Sequence, residues 1–304
     1  MRDIILDCDP GVDDALAIVL ALNSRRVNLK GITTVCGNLS VNQTTLNACR
    51  VLDYFNARIP VAKGASKPLK ASPVYAKSIH GNDGLGDSRL LPNSSNRKLE
   101  AKNAIDFIIQ SVGSGLKTIV ATGPLTNIAL AFMKNEGIMD TLEELIIMGG
   151  AIHTPGNVDR LSEFNFFFDP DAADYVMQRK VPKVLVPLDV THKVVFTPRD
   201  VKNLPDSSSG KFVKSIITKY MRVSIDKGSI GSPLHDPLAM GFCLDRTFLK
   251  LRPMHLRVES NGIYTRGACV PEERSWVNIR PNASVALDVD SGRFLDYFKR
   301  VVSN

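Results

Sequence analysis

The chain has 304 residues, 44% hydrophobic and 23% charged, which supplies a sizeable core and excludes a chain disordered throughout. A net charge of +7 and a pI near 9.1 would suit a polyanion, but Lys and Arg are scattered without a run of five or six, so no nucleic-acid partner is expected. The apolar run Ala15 to Leu22 is far short of the roughly 20 residues that span a membrane, so no membrane partner is expected either.

"RDIILDCD" reads as a buried strand. In "GVDDALAIVLAL" the positions Val12, Ala15, Leu16, Val19 and Leu20 fall on one helix face. The pattern recurs as strand "LKGITTVCGN", helix "VNQTTLNACRVLDYF" and short strand "IPVAKG". A helix near Asn103 to Ser111 follows, then strand "KTIVATG", helix "LTNIALAFM", strand "LEELIIMGG", helix "DPDAADYVMQ" and strand "PKVLVPLDV". Such alternation predicts an α/β fold: a mostly parallel, Rossmann-like sheet with helices on both faces, in three layers. Asp169-Pro170 and Thr197-Pro198 read as N-caps followed by proline at the first helical position. With no internal repeat and only the short polar loop "PDSSSG", one domain over residues 1–304 is expected.

"MRDIILDCDP" puts acids inside the only candidate leader, so a cytoplasmic location is expected. Five cysteines without a C-x-x-C pair suggest free buried thiols. Strand alternation turns Cys8 away from its acidic neighbours into packing, and Cys36 is read in the same way.

"DCDPGVDD", residues 7 to 14, gathers four carboxylates at one turn. Strand geometry puts Asp7 and Asp9 on one side, and Asp13 and Asp14 fall in the first helical turn, so all four can converge at a strand's carboxyl end. Open parallel sheets bind ligands at that edge. Helix capping accounts for one acid but not four. Like charges within about 4 to 6 Å raise each other's pKa unless a cation intervenes. A hard ion answers this, and calcium accepts 6 to 8 oxygen ligands at roughly 2.3 to 2.6 Å. The same stretch also resembles the opening of haloacid-dehalogenase-type phosphotransferases, in which the first acid, here Asp7, attacks phosphorus beside magnesium.

Further motifs decide between these readings. "SIHGNDGLGD", "ATGPLTNIAL", "IIMGGA", "GNVDRLSEFNFFFDPDAA" and "LHDPLA" follow "DCDPGVDDALAI" in order, and "VALDVD" stands near the end. Together they resemble the inosine–uridine-type nucleoside hydrolases over residues 4 to about 240. No later lysine and acidic-pair pattern supports the phosphotransferase.

The resemblance implies calcium-dependent hydrolysis of the N-glycosidic bond of ribonucleosides to ribose and free base, in nucleoside salvage. It assigns Asp9, Asp14, Asp236 and the main-chain carbonyl of Thr122 to calcium, and makes Asp9 the general base toward the attacking water. Thr122 closes the strand "KTIVATG", which would bring it to the same sheet edge as Asp9. Asp236 also precedes a proline and so carries a capping signal of its own. The ribose ligands implied are Asp13, Asn38, Asn157, Glu163 and Asn165. In "SEFNFFFDP" Glu163 and Asn165 alternate with Phe164 and Phe166, which places the two polar groups on one face of an extended segment. His235 is the implied proton donor to the departing base, and His80 the second pocket histidine. His153, His192 and His255 match no motif and are read as structural.

Base preference is less defined. The single tryptophan, Trp276, lies outside every motif and so disfavours purine-specific stacking, leaving uridine and cytidine, with inosine beside them. Tyr220, in the helix "FVKSIITKYMRVSIDKGS", is either a base contact or a helix-surface or core aromatic. By analogy with the family a homodimer or homotetramer is expected.

Overall fold

Each strand-then-helix period becomes a crossover unit in the computed structural model, which describes residues 1–303; Asn304, the last residue of the expected domain, lies outside the described residues. β1 (Arg2–Cys8) leads into α1 (Val12–Leu22), and β2 (Val27–Thr34) into α2 (Val41–Tyr54). β3 (Val61–Lys63) is followed by the single turn α3 (Lys77–His80) and by α4 (Ala104–Gly113). Next come β4 (Thr118–Ala121), α5 (Thr126–Lys134), α6 (Glu136–Met139) and β5 (Glu144–Met148). α7 (Phe164–Phe168), α8 (Pro170–Met177), β6 (Lys183–Val186) and α9 (Leu188–Thr191) follow, then β7 (Val195–Phe196), α10 (Pro198–Lys202) and the long α11 (Ser208–Asp226). The remainder comprises β8 (Ser232–Pro233), α12 (His235–Leu244), β9 (Leu249–Val258), β10 (Cys269–Glu272), β11 (Ala283–Val289) and α13 (Ser291–Val302).

The main sheet has the order β10-β9-β11-β6-β5-β4-β1-β2-β3, and β7 pairs with β8 separately. From β11 to β3 every pairing is parallel. β9 runs antiparallel to both β10 and β11, so the sheet is mixed at one end. β9 and β10 are joined without the crossover helix that a parallel pair would need.

Strands buried on both faces need apolar residues in both directions. Ile4, Leu6 and Cys8 of β1 enter one core with α1, α11, α12 and α13; Ile5 enters the other with α4, α5 and α8. Cys8 thus packs as expected, and all five cysteines are free. Asp169 and Thr197 cap α8 and α10 through their side chains, each with proline in the first turn. β1 lies between β2 and β4, with the chain leaving it in one direction and returning on the other side. This reversal opens a crevice at the carboxyl ends of β1 and β4, where Asp9 and Thr122 stand.

Candidate active site

Pro10-Gly11 turns the chain from β1 straight into α1, which holds Asp9 at the strand end and Asp13 and Asp14 in the first helical turn. Two glycines make room for Asp9. A Cβ on Gly37 would stand 2.1 Å from its Oδ2, and one on Gly123 2.7 Å from its Oδ1. Neither glycine was singled out from the sequence, since a need for space shows only in three dimensions. Asn38 N donates to Asp9 Oδ2 at 2.6 Å, whereas Asp9 Oδ1 is buried without a partner.

Asp13 is divided likewise. Its Oδ2 accepts from the backbone N–H of His235 at 3.1 Å and of Asp236 at 3.2 Å, while Oδ1 is buried and unpartnered. Asp13 therefore caps α12 from the far end of the chain. This corrects the capping signal read at Asp236, which lies inside the first turn of α12 and lines the cavity. Asp14 sits beneath the floor: Oδ1 accepts from Thr122 Oγ1 at 2.9 Å and Asp9 N at 3.3 Å, and Oδ2 from Gly11 N at 3.1 Å and Asn38 Nδ2 at 3.3 Å. Asp7 does not converge with the others. It accepts from Thr33 Oγ1 at 2.5 Å and Asn127 Nδ2 at 2.8 Å, outside the cavity lining, because the adjacent strand β2 and the helix α5 offer it donors.

The opposite wall corrects the extended reading of residues 163–166. Glu163 is the N-cap of the short helix α7; its carboxylate accepts from Asn165 N at 2.9 Å, Phe166 N at 3.2 Å and Gly150 N at 2.9 Å, so the chain turns where alternation suggested a strand. Asn165 Nδ2 donates to the carbonyls of Thr122 at 2.8 Å and Met148 at 3.2 Å, tying this wall to the ends of β4 and β5. Asn157 Oδ1 accepts from Phe164 N at 2.9 Å.

His80 and His235 both face the cavity. Val12 N donates to His80 Nδ1 at 3.2 Å, and the Tyr220 ring stacks on His80 with centroids 5.2 Å apart. Tyr220 is both buried in the core and part of the cavity wall, so its two expected readings meet in one residue. His235 Nδ1 and Thr191 Oγ1 share a hydrogen bond of 2.7 Å. His192, read as structural, also lines the cavity, 5.7 Å from the His235 ring. Burial lowers His80 to about 4 and His235 to about 3, the latter with help from its histidine neighbours, so both rings are neutral.

Burial also raises the carboxyls of Asp9, Asp13 and Asp236 well above the usual range, and Asp14 adds like-charge repulsion to each. It takes Asp14 to about 6, and Asp7 and Glu163 to about 7. The donors that reach Asp9, Asp13 and Asp14 are backbone N–H groups and the neutral side chains of Asn38 and Thr122, not lysine or arginine. This oxygen-rich, uncompensated set, with Asp9 Oδ1 orphaned, fits a hard divalent cation. Among the described residues no three His, Cys, Asp or Glu side chains are already gathered as a ligand cluster. Backbone donors engage one oxygen each of Asp9 and Asp13, and the fit is one of charge and donor type.

Known proteins share this architecture. Residues 4–296 match the family model described as inosine-uridine preferring nucleoside hydrolase. The inosine-uridine preferring nucleoside hydrolase of Leishmania major is 37% identical over 297 residues, 95% of this chain and 94% of that protein. The pyrimidine-specific ribonucleoside hydrolase RihA of Escherichia coli O17:K52:H18 is 36% identical over 302 residues, 96% of each. The solved purine-preferring ribonucleoside hydrolase of Gardnerella vaginalis superposes with a TM-score of 0.93 at 36% identity, covering 99% of this chain and 98% of that one. With likeness along nearly its whole length, the chain belongs to the inosine-uridine preferring nucleoside hydrolase family and is a nucleoside N-glycosyl hydrolase.

Proposed function

We propose that this chain hydrolyses uridine and cytidine, and inosine beside them, to ribose and free base for nucleoside salvage, with calcium as its ion. Its family generally binds a metal ion. One observation carries the reading: an acidic floor with Asp9 Oδ1 unpartnered, set against Glu163 and Asn165 in a cavity of about 680 Å³. That volume suits a nucleoside-sized ligand.

Asp9, Asp14, Asp236 and the Thr122 carbonyl would hold the ion, which when bound supplies the positive charge the acids lack and eases removal of a water proton. Asp9 accepts the proton of the attacking water at its free oxygen. Asp13, Asn38, Asn157, Glu163 and Asn165 bind the ribose. With the amide nitrogen of Asn165 already committed to two carbonyls, its Oδ1 is the atom left for a ribose hydroxyl. His235 is placed to hydrogen-bond the leaving base and, once protonated, to pass it a proton, and His80 and Tyr220 form the base wall.

Trp276 is 79% exposed and lies in a separate surface depression, which supports a base wall without tryptophan. We further propose a cytoplasmic enzyme comprising one domain that assembles as a homodimer or homotetramer. No described helix is long and apolar enough to cross a membrane.

The test is to incubate the purified chain with uridine, cytidine, inosine and adenosine and assay reducing sugar. Release from uridine and cytidine, with less from inosine, is expected. Failure to release ribose from any of the four would end the proposal, and a preference for adenosine would end the pyrimidine assignment.

A further inference from the structure

His80 reaches the cavity from the single turn α3 and the irregular segment after it. A side chain on such a segment must be held from outside. The hold comes from α2, where Asn47 and Arg50, one turn apart, are 0% and 1% exposed. Asn47 Nδ2 donates to the Pro10 carbonyl at 2.9 Å and to the Asp83 carbonyl at 2.8 Å, so one amide bridges the opening turn and the His80 loop. Arg50 locks that amide: Nη1 donates to Asn47 Oδ1 at 3.1 Å, Nη2 to the Asp83 carboxylate at 3.0 Å, and Nε to the Pro92 carbonyl at 2.6 Å.

The loop closes tightly on this clasp. Gly84 has φ +80°, and a Cβ there would stand 2.7 Å from Asn47 Nδ2. On the other side of the Pro10 turn, Val12 N donates to His80 Nδ1. A neutral imidazole that accepts at Nδ1 carries its proton on Nε2. A Cβ on Gly11 would lie 2.6 Å from the same Nδ1, so only glycine lets the ring approach this closely.

We infer that Asn47 and Arg50 are positioning residues: they clasp the His80 loop to the Pro10 turn and keep the His80 imidazole seated on the start of α1 as an Nε2–H donor. None of the sequence motifs points to them. The inference rests on the proposed reaction, in which His80 faces the base. Displacement of a reacting group by about 1 Å can lower a rate by ~10²-fold, so loosening the clasp should act on turnover through His80.

The experiment compares wild type, Asn47→Ala, Arg50→Lys, His80→Ala and both double variants on uridine, with folding checked by circular dichroism and the His80 ring observed by ¹⁵N NMR. Each clasp variant should lower kcat by ~10-fold or more with KM changed less than ~3-fold. In the His80→Ala background the same substitutions should lower kcat less than ~2-fold, since the path they act through is gone. The wild-type ring should be protonated at Nε2, and Asn47→Ala should mix the two tautomers. Equal losses in both backgrounds, unchanged kcat in a folded clasp variant, or an Nδ1–H ring in wild type would each overturn the inference. If Asn47→Ala does not fold, Arg50→Lys and the wild-type spectrum decide. Absence of ribose release from wild type would refute the proposed reaction, while the NMR spectra would still judge the clasp.

Discussion

With Asn38 N on one carboxylate oxygen and nothing on the other, Asp9 offers the cavity a single vacant acceptor. Asp9→Ala should lower kcat on uridine by ~10² to 10⁴, measured as reducing sugar released. The proposed ribose-binding wall makes a separate prediction on substrate. Sites that bind a hydroxyl through buried polar groups reject the analogue lacking it by ~10⁴ to 10⁵, so kcat/KM for 2′-deoxyuridine should fall by about that factor relative to uridine. A third prediction lies away from the site. Lys183 is buried at the start of β6, donating to the carbonyl of Val181 at 2.9 Å and to that of Arg179, and burial lowers its pKa from 10.5 to about 8. Between those two values the unfolded chain keeps a proton that the folded chain has released, so this group makes stability rise with pH across that interval. Urea midpoints for wild type and Lys183→Met at pH 8 and pH 10 should show the wild type gaining on the variant at the higher pH.

The caps show how far local pattern reaches. Asp169 was readable as a cap from its proline neighbour, and it takes that role with Oδ1 accepting from Ala172 N at 3.1 Å. Its Oδ2 also accepts from Leu69 N at 2.9 Å and Thr126 Oγ1 at 2.6 Å, partners that no sequence spacing reveals. Asp169→Ala should therefore destabilise the fold by about 2 kcal/mol or more in urea, beyond the ~1 kcal/mol typical of a lost cap, because further donors lose their acceptor. The crossover units were legible because strand and helix periods differ clearly. Residues 163–168 misled because polar and apolar residues alternate there, while the decisive interaction is a glutamate folding back onto the N–H groups two and three residues ahead. At Asp236 the local signal was sound in kind, but the cap comes from Asp13, which only the topology brings near.

Across the whole molecule, four acids share one uncompensated region, so an ion that binds the folded state alone stabilises it by mass action, by ~2.7 kcal/mol when its concentration is ~100 times Kd. Dialysis against a strong chelator should abolish ribose release and lower the melting temperature. Added calcium should restore both, as followed by reducing-sugar assay and thermal scan; a melting temperature indifferent to the chelator would count against the ion. The opening acids were legible as a cluster, since eight residues held four of them, but the exclusion of Asp7 depended on Thr33 and Asn127, and the arrival of Asp236 on the sheet order. One bond in this region reaches further. Because Asp13 accepts from the backbone of residue 235 across a separation of 222 positions, the proposed centre cannot assemble until α12 has been made. A truncated product lacking α12 would carry the opening motif intact and is expected to release no ribose.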